Sequence, residues 1–302
     1  MSETAGDRQL VFRGYTRAAL DAEYNNQRKL GAGAFATLVE RCRTASARTR
    51  QERHCVLDVR YGGGASETLD IFPAAVADAP VEVFFHGGYW RMLDKSDFSY
   101  VANGLLPHQR TLVVVNYGLI PAVTMDQLID QCRRALVWVA QNIRAFGGDP
   151  ENLHISGHSA GGHIAAMLLA TSWREYGAAG LSSVVRRTCA ISGIYDLEPV
   201  RLSYLNDTLK LDEETARRNS PLLRRRLCAS KLYLAVGGNE GEEYLRQSTE
   251  LATAWSLAGN DPTVSVFAGD DHFSIREKLG DPESDLVRLM LDISPLGGAG
   301  SP

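Results

Sequence analysis

Strands and helices alternate along most of this chain, and that alternation limits the folds it can adopt. Short segments rich in Val, Ile and Phe predict strands, and longer segments with apolar residues three and four positions apart predict helices between them. The predicted strands cover residues 55–61, 68–72, 81–85, 111–117, 153–156, 188–193, 232–237 and 263–267, and the main helices cover 125–146, 160–173, 244–258 and 282–291. We therefore expect an α/β fold with a mostly parallel central sheet flanked by helices.

The first two predicted strands differ from the later ones. They alternate apolar and polar residues, which is typical of half-buried antiparallel strands, whereas residues 81–85 and 112–115 are more continuously apolar, which is typical of central parallel strands. We therefore expect the first two strands to be half-buried and antiparallel.

Two segments lie outside the alternation. Residues 17–53 are rich in Ala, Leu, Glu and Arg and predict an N-terminal helical arm. Residues 197–230 are polar and largely helical, and they predict a cap-like insertion over the carboxyl edge of the sheet, where open α/β sheets place their sites. The sequence contains no internal repeat or linker, so we expect a single domain over residues 1–302.

Charge and hydropathy exclude several classes of partner. The chain has 32 Lys and Arg against 36 Asp and Glu, a net charge of −4, so it has no overall attraction to nucleic acid or to an acidic membrane. Apolar runs stay well short of the length of a membrane span, and the first ten residues lack the pattern of a signal peptide. The expected partner is a small-molecule substrate. The sequence leaves open whether the chain forms a homodimer.

Cysteine usage indicates the compartment. The five cysteines are an odd number, are widely spaced and include no CxxC pair. This pattern favours reduced, mostly buried cysteines in a cytoplasmic protein.

A candidate nucleophile lies in the motif Gly157-His158-Ser159-Ala160-Gly161, which matches G-x-S-x-G. The motif falls between a predicted strand and a predicted helix, which is the context it requires. A sharp strand-to-helix turn needs small residues on both sides and exposes the central hydroxyl. We interpret Ser159 as a nucleophile.

A second glycine-rich segment, His86-Gly87-Gly88-Tyr89-Trp90, follows an apolar strand and is similar to the HGGG-type loop that faces such a nucleophile. Gly87 and Gly88 can bring bare backbone close to a substrate oxygen. Together with the N–H of Ala160 at the start of a helix, they predict an oxyanion hole.

The base can be identified by elimination, because this fold orders its triad Ser, then acid, then His. Only two of the seven histidines follow Ser159, and His163 lies within the helix that leads away from the turn. His272 remains, on a loop just past the last predicted strand.

The acid should lie on the loop after the preceding strand, where it can orient the imidazole. Glu240 follows that strand soonest and is the preferred acid. Two later glutamates fall at the start of the next helix, and two aspartates beside His272 are badly placed for a contact between loops. These four alternatives are Glu242, Glu243, Asp270 and Asp271.

Neither a metal nor an organic cofactor is expected. His154 and His158 are four residues apart, but they flank a strand and a turn, so they cannot share a helical face as zinc-binding histidines do. The chain has no phosphate-binding loop motif, and its Gly62–Gly64 run lacks the strand-to-helix context of a dinucleotide fingerprint.

Over residues 56–291 the chain resembles the α/β-hydrolases, because it combines HGGYW, GHSAGGH and the ordered acid and histidine. More narrowly, it is similar to the serine-hydrolase type of kynurenine formamidase. The stretches that carry this narrower resemblance are DAEYNNQ (21–27), LDIF (69–72), HGGYW (86–90), GHSAGGH (157–163), ISGIYDLEP (191–199) and NEGEEYLRQS (239–248).

The resemblance implies hydrolysis of N-formyl-L-kynurenine to L-kynurenine and formate, with Ser159, Glu240 and His272 as the triad. It also raises the expectation that Tyr89, Trp90 and Tyr117 form the wall around the aryl group, although aromatic residues beside a core strand can equally be packing. A carboxylesterase or other amidase with the same triad is the alternative. A binding protein that has lost catalysis is disfavoured, because all three triad positions are filled.

Overall fold

Eight strands form one sheet at the centre of the computed structural model, which describes residues 9–256 and 261–293. The strands, with a separate N-terminal pair first, are β1 (Leu10–Phe12), β2 (Tyr15–Thr16), β3 (Val56–Arg60), β4 (Thr68–Phe72), β5 (Ala79–Phe85), β6 (Thr111–Val115), β7 (Gly148–His158), β8 (Val185–Ile191), β9 (Lys231–Gly237) and β10 (Thr263–Phe267). The order across the sheet is β10-β9-β8-β7-β5-β6-β4-β3.

The sheet is mostly parallel, as predicted. All neighbours from β10 to β6 pair in parallel, and β4 pairs antiparallel with both β6 and β3. The half-buried character expected for the first two strands is wrong for β4, since every residue of β4 is buried. Its polar Asp70 is buried because a lysine from outside the sheet neutralises it.

Helices cover both faces of the sheet. They are α1 (Arg17–Tyr24), α2 (Asn26–Leu30), α3 (Ala34–Glu52), α4 (Ala102–Leu105), α5 (Met125–Asn142), α6 (Ala160–Leu169), α7 (Leu181–Val184), α8 (Glu198–Arg201), α9 (Asn206–Leu209), α10 (Glu213–Arg218), α11 (Glu242–Ser256), α12 (Ser274–Glu277) and α13 (Asp285–Leu291). Alternate residues of β5 divide between two cores. Val83 and Phe85 join one with α5, α6 and α11, and Phe84 joins the other with α3 and α13.

Some element ends differ from the predicted ones. Helix α6 stops at Leu169, four residues early, because the Leu169 carbonyl accepts hydrogen bonds from the N–H groups of Leu227 (2.8 Å) and Cys228 (3.0 Å). Helix α13 starts at Asp285, where Ser284 caps it. The predicted end of the helix over 244–258 lies outside the described residues.

The arm and the insertion pack against each other. The arm comprises α1 to α3, and its Leu20 and Tyr24 are buried in the same core as α5 and α6. The insertion contains α8 to α10, and the N–H of Tyr204 donates to Asp21 in α1 at 2.6 Å. Within residues 9–256 and 261–293, no helix combines the length and apolar character needed to cross a membrane.

A buried charge cluster ties a 3₁₀ helix, Lys95–Val101, to the antiparallel side of the sheet. Lys95 Nζ lies 2.7 Å from both Asp70 and Asp58, and the Lys95 and Asp70 side chains are only 6% and 1% exposed. Burial opposes the charge, but the hydrogen bonds to the two aspartates raise the pKa of Lys95.

We expect Lys95→Met to lower the free energy of unfolding by about 3–5 kcal/mol, because Asp70 would stay buried without a compensating charge. Urea denaturation at neutral pH measures this. Arg48→Met is the matched control, since Arg48 pairs with Glu52 in solvent and its loss should leave the midpoint unchanged. Equal midpoints for wild type and Lys95→Met would contradict the prediction.

Candidate active site

Ser159 occupies the turn between β7 and α6. Its backbone angles are φ 58° and ψ −116°, a conformation that a non-glycine residue rarely adopts, and its N–H donates to the Ile191 carbonyl at 2.8 Å. The flanking glycines are needed for space. A Cβ on Gly157 would lie 2.3 Å from the Gly161 carbonyl oxygen, and one on Gly161 would lie 1.9 Å from the Phe85 oxygen. The motif therefore forms the strained turn that the sequence predicts.

Ser159, His272 and Glu240 form a continuous hydrogen-bonded chain. The Ser159 hydroxyl lies 3.0 Å from His272 Nε2, and His272 Nδ1 lies 2.6 Å from Glu240 Oε2. All three residues are buried. With the Nδ1–H directed at Glu240, Nε2 is free to accept the proton of the serine hydroxyl.

Glu240 is itself held in place through its second oxygen. Oε1 accepts hydrogen bonds from the Ser192 hydroxyl and from the backbone N–H of Gly237, both at 2.5 Å. From the arm, Lys29 Nζ donates to the Glu240 carbonyl at 2.8 Å. The carboxylate therefore has one fixed orientation, with Oε2 toward His272.

The four other acidic candidates do not contact His272 through their side chains. Each is occupied by a partner of its own. These partners are Lys278 for Asp270 (2.6 Å), the N–H groups of Phe273 and Ser274 for Asp271 (both 2.8 Å), Tyr15 for Glu242 (3.4 Å) and Arg246 for Glu243 (2.7 Å).

The structure brings the glycine-rich loop to Ser159. A Cβ on Gly87 would lie 2.8 Å from the His158 carbonyl oxygen and 3.3 Å from the Ser159 Cβ, so the absence of a side chain lets this backbone approach Ser159 closely. Gly88 has φ +118° and lines the same cavity as Ser159 and His272. Ala160 is the first residue of α6, where the N–H has no acceptor within the helix. The three residues expected at the oxyanion hole therefore lie near Ser159, and the oxyanion hole itself stays a prediction.

Two aromatic residues expected at the substrate pack against histidine side chains instead of lining the cavity. The Tyr117 ring stacks on His86 at 4.3 Å, and its hydroxyl donates to the His86 carbonyl at 2.6 Å. Trp90 Nε1 donates to His163 Nδ1 at 3.1 Å. Both aromatic residues are almost fully buried, and neither lines the cavity. These contacts indicate a packing role for Trp90 and Tyr117 and do not favour their expected contact with the aryl group, which stays untested.

Tyr89 does line the cavity, and it connects the loop to the arm. Its hydroxyl donates to the Tyr24 carbonyl at 2.7 Å and lies 2.8 Å from the Tyr244 hydroxyl. Asn26 Nδ2 donates to both tyrosine hydroxyls, at 3.1 Å and 2.8 Å. The Tyr244 ring is 4.7 Å from the His272 ring, so this network supports the imidazole from one side.

Sequence reasoning missed His158, Tyr244 and the arm residues as parts of the site. His158 lies 4.7 Å from His272, ring to ring, and its Nε2–H donates to the His272 carbonyl at 2.8 Å. Burial, together with the charges of His272 and Arg276, holds the pKa of His158 well below its usual range, so it stays neutral. A signal for the arm was present, since Tyr24 and Asn26 lie in the DAEYNNQ stretch.

The cavity over Ser159 is small, and part of it is open to solvent. Apolar side chains form much of its wall. The lining residues are Gln27, Phe35, Gly88, Tyr89, Met92, Leu93, His158, Ser159, His272, Phe273 and Arg276. Such a wall suits a flat apolar group next to the nucleophile.

The histidines near the turn do not converge on a metal site. His154 contacts Asn152 at 2.9 Å, and His163 Nε2 contacts the Asn219 carbonyl at 2.7 Å. Burial lowers the pKa of His154 to about 2 and that of His163 to about 4. In the part of the chain that the structure describes, no group of three or more His, Cys, Asp or Glu side chains is arranged to hold a metal ion.

Comparison with known proteins agrees with this geometry. A family model for the α/β-hydrolase fold matches residues 82–278. Kynurenine formamidase from Danio rerio is 35% identical over 260 residues, which cover 84% of this chain and 86% of that enzyme. Esterase LipQ from Mycobacterium tuberculosis is 32% identical over 149 residues, only 46% of this chain and 35% of LipQ.

Among solved structures, a candidate thioesterase from Silicibacter sp. TM1040 matches with a TM-score of 0.79 and 28% identity, covering 90% of this chain and 98% of that one. The strained turn at Ser159 and the observed fold are both consistent with these matches, which cover most of the chain. This chain belongs to the α/β-hydrolase family and, within it, to the kynurenine formamidases.

Proposed function

We propose that this protein is a serine hydrolase that cleaves the aryl formamide N-formyl-L-kynurenine into L-kynurenine and formate. The observation that carries the proposal is the buried chain from Ser159 through His272 to Glu240, which opens into a cavity with apolar walls. The relationship to kynurenine formamidases supports the substrate class.

The mechanism assigns each residue one task. Ser159 Oγ attacks the formyl carbon while His272 Nε2 takes the hydroxyl proton, and Glu240 stabilises the resulting imidazolium. Negative charge develops on the formyl oxygen and is stabilised by hydrogen bonds from the N–H groups of the Gly87-Gly88 loop and Ala160. The C–N bond then breaks, and His272 delivers its proton to the departing aryl amine.

The second half of the reaction repeats the first with water. The formyl group is now esterified to Ser159, and His272 takes a proton from the attacking water. Collapse of the second tetrahedral intermediate releases formate and returns the proton to Ser159. A formyl group needs almost no acyl pocket, so the apolar wall with Phe35, Met92 and Phe273 is available for the aryl leaving group.

We expect the purified enzyme to turn over N-formyl-L-kynurenine with a kcat/KM at least comparable to that for p-nitrophenyl acetate. Activated esters should also react, because the same triad cleaves both bonds. Side-by-side kcat/KM measurements on the two substrates test this. A preference of several hundredfold for the ester would favour the rival assignment, a carboxylesterase.

A binding protein without catalysis is the alternative from a different class. A fluorophosphonate probe reacts with a serine only when its hydroxyl is activated. Labelling of the wild type, and its loss in Ser159→Ala, would argue against the binding protein. An unlabelled wild type would favour it.

We also propose that the protein acts in the cytoplasm. All five cysteines are free, and four of them are buried. Reduced cysteines are typical of that compartment.

A further inference from the structure

A buried arginine lines the cavity that contains Ser159 and His272. Arg276 belongs to α12, which begins two residues after His272, and it is only 2% exposed. The mechanism above gives this side chain no role. A buried cation beside a nucleophile therefore needs an explanation.

Arg276 has no acidic partner among the residues that the structure describes. Its Nε has no hydrogen-bond partner, its Nη2 contacts the Cys42 sulfur at 3.4 Å, and the guanidinium also interacts with the Tyr100 hydroxyl, so its partners are neutral groups. The acids closest along the chain and in the adjoining 3₁₀ helix are already occupied, since Glu277 pairs with Arg41 and Asp97 pairs with Arg43. The guanidinium therefore keeps donors that its own chain does not satisfy.

Aromatic rings hold the guanidinium in a defined place. Its central carbon lies 5.4 Å from the centre of the Phe98 ring and 5.8 Å from that of the Phe273 ring. Such cation–π contacts stabilise the charge only partly. An unpaired buried charge is strongly unfavourable, and a planar guanidinium with free donors matches a carboxylate in a two-point contact.

We propose that Arg276 binds a carboxylate on the leaving-group side of the substrate. This inference rests on the proposed function and deepens it, because N-formyl-L-kynurenine has an α-carboxylate at the end of the molecule remote from its formamide. The aryl ring would pack on Phe35 and Phe273 while the carboxylate completes the hydrogen bonding of Arg276. The site thus selects aryl formamides that carry a carboxylate at this position over those that lack one.

The test compares two substrates that differ only in the carboxylate, N-formyl-L-kynurenine and its decarboxylated analogue N-formylkynuramine. We expect Arg276→Met to lower kcat/KM for the first by about 10- to 100-fold, mainly through KM, because a charge-assisted contact is lost. The same substitution should change kcat/KM for the analogue by less than about threefold, because the analogue has no carboxylate to contact Arg276. Arg276→Lys, which keeps the charge but not the planar fork, should recover part of the loss.

A purely structural role for Arg276 predicts a different pattern. It would lower the thermal midpoint of Arg276→Met and reduce both substrates equally, whereas removal of an unpaired buried charge should leave the midpoint unchanged or raise it. Arg41→Met is the control, because Arg41 is exposed and paired with Glu277. Equal losses on both substrates, or no loss on either, would overturn the proposal.

Binding measurements separate this proposal from the proposed function. Calorimetry on Ser159→Ala with kynurenine and with kynuramine needs no turnover. Tighter binding of kynurenine that disappears in Ser159→Ala/Arg276→Met would support carboxylate recognition even if the wild type hydrolysed neither formamide. Equal binding of kynurenine and kynuramine to Ser159→Ala would refute carboxylate recognition by Arg276, even if the wild type is an active formamidase.

Discussion

Replacing Ser159 by alanine is expected to lower kcat for an aryl formamide by about 10³-fold or more, because the oxyanion donors alone supply only the residual rate. The hydroxyl 3.0 Å from His272 Nε2 is the only group that the proposed mechanism allows to attack the formyl carbon. Release of kynurenine, followed by its absorbance, measures the effect. Retention of more than about 1% of the wild-type rate would refute the triad assignment.

The Ser159→Ala protein should remain folded, which its circular dichroism spectrum and thermal midpoint can check. Alanine removes one hydroxyl and leaves the glycines of the turn in place. Ser274→Ala serves as the matched control, because Ser274 lies two residues from His272 but donates its hydroxyl to Asp270 at 2.8 Å. That variant should keep most of the activity.

Replacing Glu240 by glutamine is expected to lower kcat by about 10³- to 10⁴-fold while the fold is retained. The amide oxygen can still accept from Ser192 and Gly237, so its NH₂ group must face His272 Nδ1. The imidazole would then adopt the other tautomer, with its proton on Nε2 facing Ser159. It could no longer accept the serine proton.

The acids beside His272 in sequence provide the control for Glu240. Asp271→Asn should reduce kcat by less than about tenfold, because Asp271 holds the loop backbone and does not contact the imidazole. Steady-state kinetics on Glu240→Gln and Asp271→Asn side by side decide between the two acids. A larger loss in Asp271→Asn would mean that the acid of the triad is wrongly assigned.

Local sequence patterns predicted the sheet and the serine turn well because both depend on short-range physics. Periodicity reports which face of an element is buried, and the turn at Ser159 needs glycine at fixed positions. The alternating pattern failed at β4, since Asp70 looks solvent-facing until Lys95, 25 residues away, is seen to neutralise it. A residue type alone does not reveal such a partner.

The aromatic residues of the site illustrate the same limit. Tyr89 and Trp90 belong to the glycine-rich loop and Tyr117 follows β6, yet of these three only Tyr89 lines the cavity. Which side of a loop backbone a ring occupies depends on neighbours such as His163 and His86, which come from other elements. No periodicity exists in a loop to predict this.

The sequence by itself determined the α/β order of elements, and it predicted Ser159 as the nucleophile, His272 as the base and Glu240 as the acid, because fold order and turn chemistry constrain each of these choices. Only the tertiary structure placed Tyr24 and Asn26 of the arm against Tyr89 and Tyr244. It also placed Arg276 in the wall of the cavity, where none of the residues described in the structure gives it an acidic partner. These contacts join residues far apart in the chain. The free energy of such contacts depends on burial and on whether a polar group has a partner, and both are properties of the folded chain only.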